Sequence, residues 1–368
     1  MAIPVKKLLI SLALVATAAI PARAERVQTI ASGLDHPWSV AFLPGSEGVL
    51  VTERGGRLLR IPPGSAPIAI AGVPPVYARS QGGLFDVLLH PQFAVNRVLY
   101  LSMAAGTKAA NFTRIVRARL DGDRLADVET IFQVAPTKDT PVHYGGRMAF
   151  LPDGSLVMTT GDGFDYREAA QKLSSGLGKI LRMTADGKPL ASNPFIGRKG
   201  GGMGPYVWSY GHRNPQGLAL DPATGRLWAH EHGPRGGDEV NLIVKGGNYG
   251  WPVATFGLDY SGATISPFKR YDGMIDGRVV WVPSIAPSGL AVYRGPLWLD
   301  WQGDLIVGSL VNREVRRIDL DRDGKVLGQQ RIFPTISARV RDVRVAPDGA
   351  LWVTTDEKDG RVLRVTPG

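Results

Sequence analysis

FLPDGSLVMTTGDG, Phe150 to Gly163, is the stretch that decides the fold. An apolar pair runs into Pro152-Asp153-Gly154, and a strand-forming run from Leu156 to Thr160 follows. Asp-Gly between apolar runs is a hairpin signal, because glycine takes the positive φ that such a turn requires. The same phrase recurs. FLPGSEGVLVTERGGRLLRI (Phe42 to Ile61) and LHPQFAVNRVLYLSM (Leu89 to Met103) precede it. LDPATGRLWAHEHG (Leu220 to Gly233), LWLDWQGDLIVGSLVNREVRRIDL (Leu297 to Leu320) and VAPDGALWVTTDEKDGRVLRV (Val345 to Val365) follow. The six copies lie about 45 to 80 residues apart, at or above the length of a propeller blade. One four-stranded sheet cannot bury both its faces, so such repeats stack into a ring. The reading is an all-β, six-bladed β-propeller, closed by a strand near Val27 to Ala31 pairing with the last blade. A β-sandwich leaves the six-fold phrase unexplained. The long middle spacings predict insertions, mainly at Thr107 to Asn111, Phe164 to Gly204 and Thr255 to Arg278. Only Tyr166 to Leu181 has room for a short helix.

The N-terminus and the composition bound what this ring does. Residues 1–24 read as a secretory signal peptide: Lys6 and Lys7, an apolar Leu8 to Ile20, then Ala22-Arg23-Ala24 as a small-x-small cleavage site. That apolar run is too short for an ordinary span, and no later stretch reaches about 18 apolar residues. Residues 25–368 are therefore expected to form a single propeller domain, periplasmic or secreted, with no membrane span. The chain has no cysteine, which excludes disulfides, thiolate metal ligands and cysteine nucleophiles. Its formal charge is +10, but Lys and Arg are scattered rather than set in a stripe with stacking aromatics. Nucleic acid is not expected; an anionic small ligand or a basic solvated surface fits better.

The chemistry-bearing residues cluster in the loops between these strands. Trp208 to Pro252 is the most polar and glycine-dense part, holding His212, Arg213, Asn214, Glu231, His232, Asp238 and Glu239. So many charged and amide groups are costly to desolvate unless they meet ligands or each other. Gln81 precedes Gly82-Gly83 and a buried strand, which sets its amide at a blade's inner edge or in a simple turn. His143 precedes Gly145-Gly146 and the hairpin that ends in TTGDG with Asp162. The loop before a strand and the loop after its hairpin partner lie at one end of a blade, so His143 and Asp162 can meet. A carboxylate fixes the imidazole tautomer and stabilises the imidazolium formed on proton abstraction; a structural, hydrogen-bonded histidine is the alternative. Arg213 offers a rigid donor fork and Asn214 an amide, with Pro215 holding the chain extended. His230 and His232 share a strand face and suggest zinc, but no third ligand stands at metalloprotease spacing. GPRGGDE, with turn carbonyls beside Asp238 and Glu239, suits calcium better, though not with EF-hand spacing. Arg339 and Arg341 point the same way from one strand and invite a polyanion. There is no GxSxG elbow, P-loop or dinucleotide fingerprint.

QGGLFDVLLHP, HYGGRMAF, TTGDG, LGKILRM, GHRNPQGLAL, HEHGPRGGDEVN, GGNYGWP, APSG and RVRDVRVAPDG occur in this order from Gln81 to Gly349. In these blocks the chain resembles the soluble aldose sugar dehydrogenases that depend on pyrroloquinoline quinone (PQQ), the glucose/sorbosone dehydrogenase family. The resemblance implies a six-bladed propeller, PQQ over the central channel, calcium ions, an aldose substrate and an unspecified electron acceptor, in a monomer or homodimer. It implies that His143 is the base for the anomeric hydroxyl, that Asp162 orients it, and that Arg213 polarises the quinone oxygen. Asn214 and Gln81 complete the cofactor contacts, Arg339 and Arg341 hold its carboxylates, and Trp281 is the candidate aromatic wall. The carbonyls of Gly233 and Pro234 match ligands of a cofactor-clamping calcium; Glu239, Tyr249, Thr255 and Asp259 match a second, structural site. One departure stands out: where the family has a lysine after GSL, this chain has Val311, with Arg313 two residues on. Two rivals follow, a calcium-dependent propeller lactonase and a non-catalytic propeller with a decayed PQQ pocket.

Overall fold

A computed structural model describes residues 25–45, 47–198 and 201–368; the expected signal peptide lies outside them. Six four-stranded antiparallel sheets make six blades. Blade 1 holds Pro37–Phe42, Val49–Glu53, Leu58–Ile61 and Ile68–Ala69; blade 2 holds Leu84–Leu89, Val98–Gly106, Asn111–Asp121 and Arg124–Gln133. Blade 3 is Met148–Phe150, Leu156–Thr160, Lys179–Met183 and Val207–Tyr210; blade 4 is Pro215–Leu220, Leu227–Glu231, Asp238–Ile243 and Val279–Trp281. Blade 5 is Pro287–Val292, Leu305–Ser309, Glu314–Leu320 and Val326–Ile332. Blade 6 takes Val340–Val345, Leu351–Thr355 and Gly360–Pro367, and its fourth strand, Glu25–Leu34, comes from the other end of the chain. The ring closes as the N-terminal pattern predicts.

Each copy of the repeated phrase forms the turn between a blade's first two strands, so it fixes the blade count directly. First strands of successive blades touch in a closed circle and line the channel. Apolar cores form between neighbouring blades: Leu84, Leu99 and Val116 pack on Leu50 and Leu58, and Ile306, Val315 and Val340 pack with Val353.

Three local expectations change. Tyr166 to Leu181 yields only a 3-10 turn, Arg167–Gln171, before the strand Lys179–Met183, because its apolar residues are drawn into the sheet. Thr107 to Asn111 is no insertion. It closes a hairpin in which Gly106 pairs with Asn111. Phe164 to Gly204 is not one insertion, because the strand Lys179–Met183 divides it; its first part, with Phe164 and Arg167, and the Thr255 to Arg278 segment, with Asp259 and Tyr260, meet at the same end of the ring.

Below that end, buried charges fill the channel. Arg147 Nη2 meets Asp342 Oδ1 at 2.9 Å, its Nε donates to the Gln216 carbonyl at 2.9 Å, and its guanidinium lies 4.0 Å from the Trp38 ring centre. Arg344 donates to both Asp86 and Asp342 at 2.8 Å. These contacts tie blades 1, 2, 3, 4 and 6 together at the axis. Pairing of this kind offsets the cost of burying charge. They also give the site above them a rigid floor.

Candidate active site

Loops that enter a first strand and loops that leave a second strand meet at one end of the ring, and this geometry assembles the site. His143 enters blade 3 and Asp162 leaves that blade's second strand. Their side chains meet, with His143 Nδ1 2.7 Å from Asp162 Oδ1. The acid accepts here, so Nδ1 carries the proton and Nε2 is left as the basic nitrogen. Asp162 is 0 % exposed and its remaining capacity is used: Oδ1 also accepts the Phe164 N–H at 2.8 Å, and Oδ2 accepts the Trp251 indole N–H at 2.7 Å. His143 has φ +53°, a strained left-handed backbone for a residue with a side chain. The backbone of Gly161 passes so close that an added Cβ would stand 2.3 Å from the His143 carbonyl oxygen. Burial pushes the imidazole below its ordinary range, the bond to Asp162 opposes that, and Arg213 adds to it.

The other expected residues gather round this pair. Gln81 accepts the His143 backbone N–H at 2.9 Å. Asn214 Oδ1 accepts the Gly145 N–H at 3.3 Å and the Gln216 amide at 3.2 Å. Arg213 is buried and donates to the carbonyls of His232 at 3.1 Å and Gly233 at 2.6 Å. Among the described residues it forms no ion pair. Arg341 meets Asp356 at 2.7 Å and Arg339 meets the same oxygen at 3.5 Å. Burial alone would raise Asp356, yet the adjoining Arg341 brings it down to about 2. Two cations on one carboxylate, with Arg213 free of any, leave the rim net positive and suited to a polycarboxylate.

Arg213 is also part of the wall of a cleft of about 170 Å³, together with Phe164, Arg167, Pro234, Trp251, Asp259 and Tyr260. Phe164 sets its ring edgewise to His143 and stacks on Tyr260, with centroids 5.4 and 6.2 Å apart. A second, smaller cavity is lined by Glu231, Gly233, Glu239, Tyr249 and Thr255. Glu231 and Glu239 are direct cross-strand partners. Glu231 accepts from His212 at 2.8 Å and from the Arg213 N–H. Burial, then the charge of Glu231, pushes Glu239 well above the usual carboxylate range. Two carboxylates beside turn carbonyls fit a calcium ion, which would relieve that repulsion.

Two expectations are corrected, and the departure at Val311 is left uncompensated. Trp281 is not a wall of the site: it lies in blade 4's outer strand, packed with Val279 and Leu290, and its indole donates to Gln329 at 2.9 Å. The aromatic wall is Trp251, Phe164 and Tyr260. Asp259 stands apart from Glu239, Tyr249 and Thr255, because its carboxylate accepts from its own Ser261 turn and pairs with Arg167 at 3.7 Å across the cleft. Arg313 does not replace the missing lysine; it donates to the Ser337 carbonyl at 2.9 Å, while Val311 is 58 % exposed. His230 and His232 fill the blade 4–5 seam, donating to the carbonyls of Gly289 at 3.1 Å and Pro287 at 2.7 Å.

Asp356 and Trp251 are site residues that sequence reasoning passed over. The repeat carries a signal for the first: Thr354-Thr355-Asp356 copies Thr159-Thr160-Gly161-Asp162 at the end of a second strand. Trp251 sits in GGNYGWP, and nothing in that motif says which carboxylate its indole meets.

The glucose/sorbosone dehydrogenase family model matches residues 34–364. The aldose sugar dehydrogenase YliI of Escherichia coli is 42 % identical over 349 residues, spanning 93 % of this chain and 92 % of that protein. The crystal structure of the soluble aldose sugar dehydrogenase from Escherichia coli, in its apo form, superposes with a TM-score of 0.89 at 39 % identity, covering 94 % of this chain and all of that one (100 %). The PQQ-bound aldose sugar dehydrogenase of Streptomyces coelicolor superposes at 0.76 with 32 % identity, covering 94 % and 99 %. With fold, site and family model in agreement over nearly all of residues 25–368, the chain belongs to the glucose/sorbosone dehydrogenase family.

Proposed function

We propose that the protein is an exported, PQQ- and calcium-dependent aldose sugar dehydrogenase that oxidises the anomeric carbon of aldoses such as glucose to the lactone. The observation that carries this reading is the His143–Asp162 pair, in contact with Phe164 and Trp251, two residues that wall a cleft together with the unpaired Arg213. PQQ, when bound, supplies the acceptor for the hydride that leaves the anomeric carbon. His143 Nε2 takes the proton of the anomeric hydroxyl, and Asp162 stabilises the imidazolium that results. Three donors, on His143, Phe164 and Trp251, fix the orientation of the Asp162 side chain. Arg213, oriented by the His232 and Gly233 carbonyls, would stabilise the negative charge that develops on the acceptor. Arg339 and Arg341 bind the cofactor's carboxylates. The carbonyls of Gly233 and Pro234 present oxygen to one calcium, and Glu239 with Tyr249 and Thr255 frames the second.

The cationic rim disfavours a propeller lactonase, which needs a carboxylate-held metal on the axis where Arg147 and Arg344 stand here. Val311 favours the decayed-pocket rival, and a PQQ absorbance titration separates the two readings, since a decayed pocket does not saturate. The deciding assay is dye reduction by purified protein reconstituted with PQQ and calcium. Glucose should support turnover and His143→Ala should abolish it; no turnover with any aldose sinks the reading.

A further inference from the structure

Two lysines are buried behind the His143–Asp162 pair, and among the described residues neither forms an ion pair. Lys138 lies on the segment leading to His143 and is 2 % exposed. Its ammonium donates to Asn111 Oδ1 at 2.9 Å and to the Thr140 carbonyl, and stands 3.5 Å from the Tyr144 ring centre. The Tyr144 hydroxyl donates to the same Asn111 oxygen at 2.7 Å. The lysine stem packs on Gly163, where an added Cβ would come within 2.7 Å of its Cδ. The Thr140 hydroxyl donates to the Gly163 carbonyl at 2.6 Å. Lys138 thus backs the residue next to Asp162. Lys179 stands beside the same turn: it pairs across the sheet with Thr160, and its ammonium donates to the carbonyls of Ala169, Ala170 and Leu177 at 2.8, 2.9 and 2.7 Å.

Burying an ammonium among neutral oxygens is costly, and a methionine would fill either space without that cost. A charge kept under those terms is expected to act on a neighbour. Burial draws both lysines down to about 7, and Asp162 opposes the fall in each. Lys138 in turn disfavours the charged form of His143.

We propose that Lys138 is a positioning residue for the base: its stem packs against Gly163, the residue after Asp162, and its ammonium, held by Asn111 and Thr140, sets a buried positive charge behind the His143–Asp162 pair that opposes a second positive charge on the imidazole. The proposal rests on reading His143 as the base. The charged or titratable groups that face His143 are Asp162 from the loop leaving blade 3's second strand, Arg213 from the loop entering blade 4, His232 from the loop beyond, and Lys138 itself. Those facing Lys138 are Asp162, Asp139, the latter bonded to the Tyr166 hydroxyl at 2.8 Å, and Tyr144, whose ring lies against the ammonium.

The test is an NMR titration of the His143 imidazole in the cofactor-free protein, its signal assigned by loss in His143→Gln. Lys138→Met removes the charge and keeps the stem. Asn111→Asp sets a carboxylate against the ammonium and quenches its field, so it carries the test if the first variant does not fold. Each should raise the His143 midpoint by roughly one pH unit, and in the reconstituted enzyme the acid limb of the rate profile should move with it. An unmoved midpoint in either folded variant overturns the proposal. A midpoint that moves in a protein without aldose turnover refutes the dehydrogenase reading and leaves the Lys138 coupling standing.

Discussion

Acid should destabilise this fold through His230, and the size of the effect follows from its surroundings. The imidazole is 0 % exposed in the seam between blades 4 and 5, where Nε2–H donates to the Gly289 carbonyl at 3.1 Å. Nδ1 is buried without a partner, so a second proton would have no acceptor. The packing leaves no slack: a Cβ on Gly217 would stand 2.2 Å from Nε2. Burial brings the group from 6.5 down to about 3. The unfolded chain therefore takes up the proton first as pH falls. Stability from the neutral imidazole is full above 6.5 and is lost progressively towards about 3, at roughly 1.4 kcal/mol per pH unit. Between pH 6.5 and 5 that amounts to roughly 2 kcal/mol. Guanidinium unfolding at pH 7 and pH 5 measures it, with His230→Gln as reference, because His232 and Glu239 titrate alike in both proteins and cancel. The native chain should lose about 2 kcal/mol more than the variant on acidification. Equal losses would refute the reasoning.

Trp251→Phe removes the indole N–H that satisfies Asp162 Oδ2. Denaturant unfolding should show a loss of about 1–3 kcal/mol, and dye-reduction kinetics should show kcat falling with KM little changed. Gly161→Ala forces the His143 carbonyl and the Asn214 side chain away from their close approach. A displacement of about 1 Å at the base should cost on the order of a hundredfold in kcat, while the far-ultraviolet circular dichroism stays that of the parent. Chelation with EGTA leaves Glu231 and Glu239 facing each other without a cation. Melting followed by calorimetry should drop by roughly 5 °C from its value at calcium a hundredfold above Kd, and a melting point indifferent to calcium counts against the second calcium site.

The blade count, the closure and the end of the ring that carries the site were all legible in the sequence. Each blade contributes one Pro/Asp/Gly phrase at a fixed place between its first two strands, so local turn chemistry repeats and can be counted. The meeting of His143 with Asp162 was legible because strand polarity sends their loops to one end, and that of Arg339 with Arg341 because residues two apart share a strand face. What the sequence left open is set by contacts across blades, which no local pattern encodes. Trp251 reaches Asp162 across 89 positions and Arg147 reaches Asp342 from blade 3 to blade 6. Trp281 stands in the run Val279 to Pro283, and its strand is the outermost of its blade, so the ring faces a seam rather than the axis. Asp259 sits beside the other expected calcium ligands in sequence, but its insertion folds over the cleft and hands its carboxylate to Arg167. Radial position in a propeller depends on which strand of four a residue occupies and on how the insertions fold back, and only the closed ring decides that.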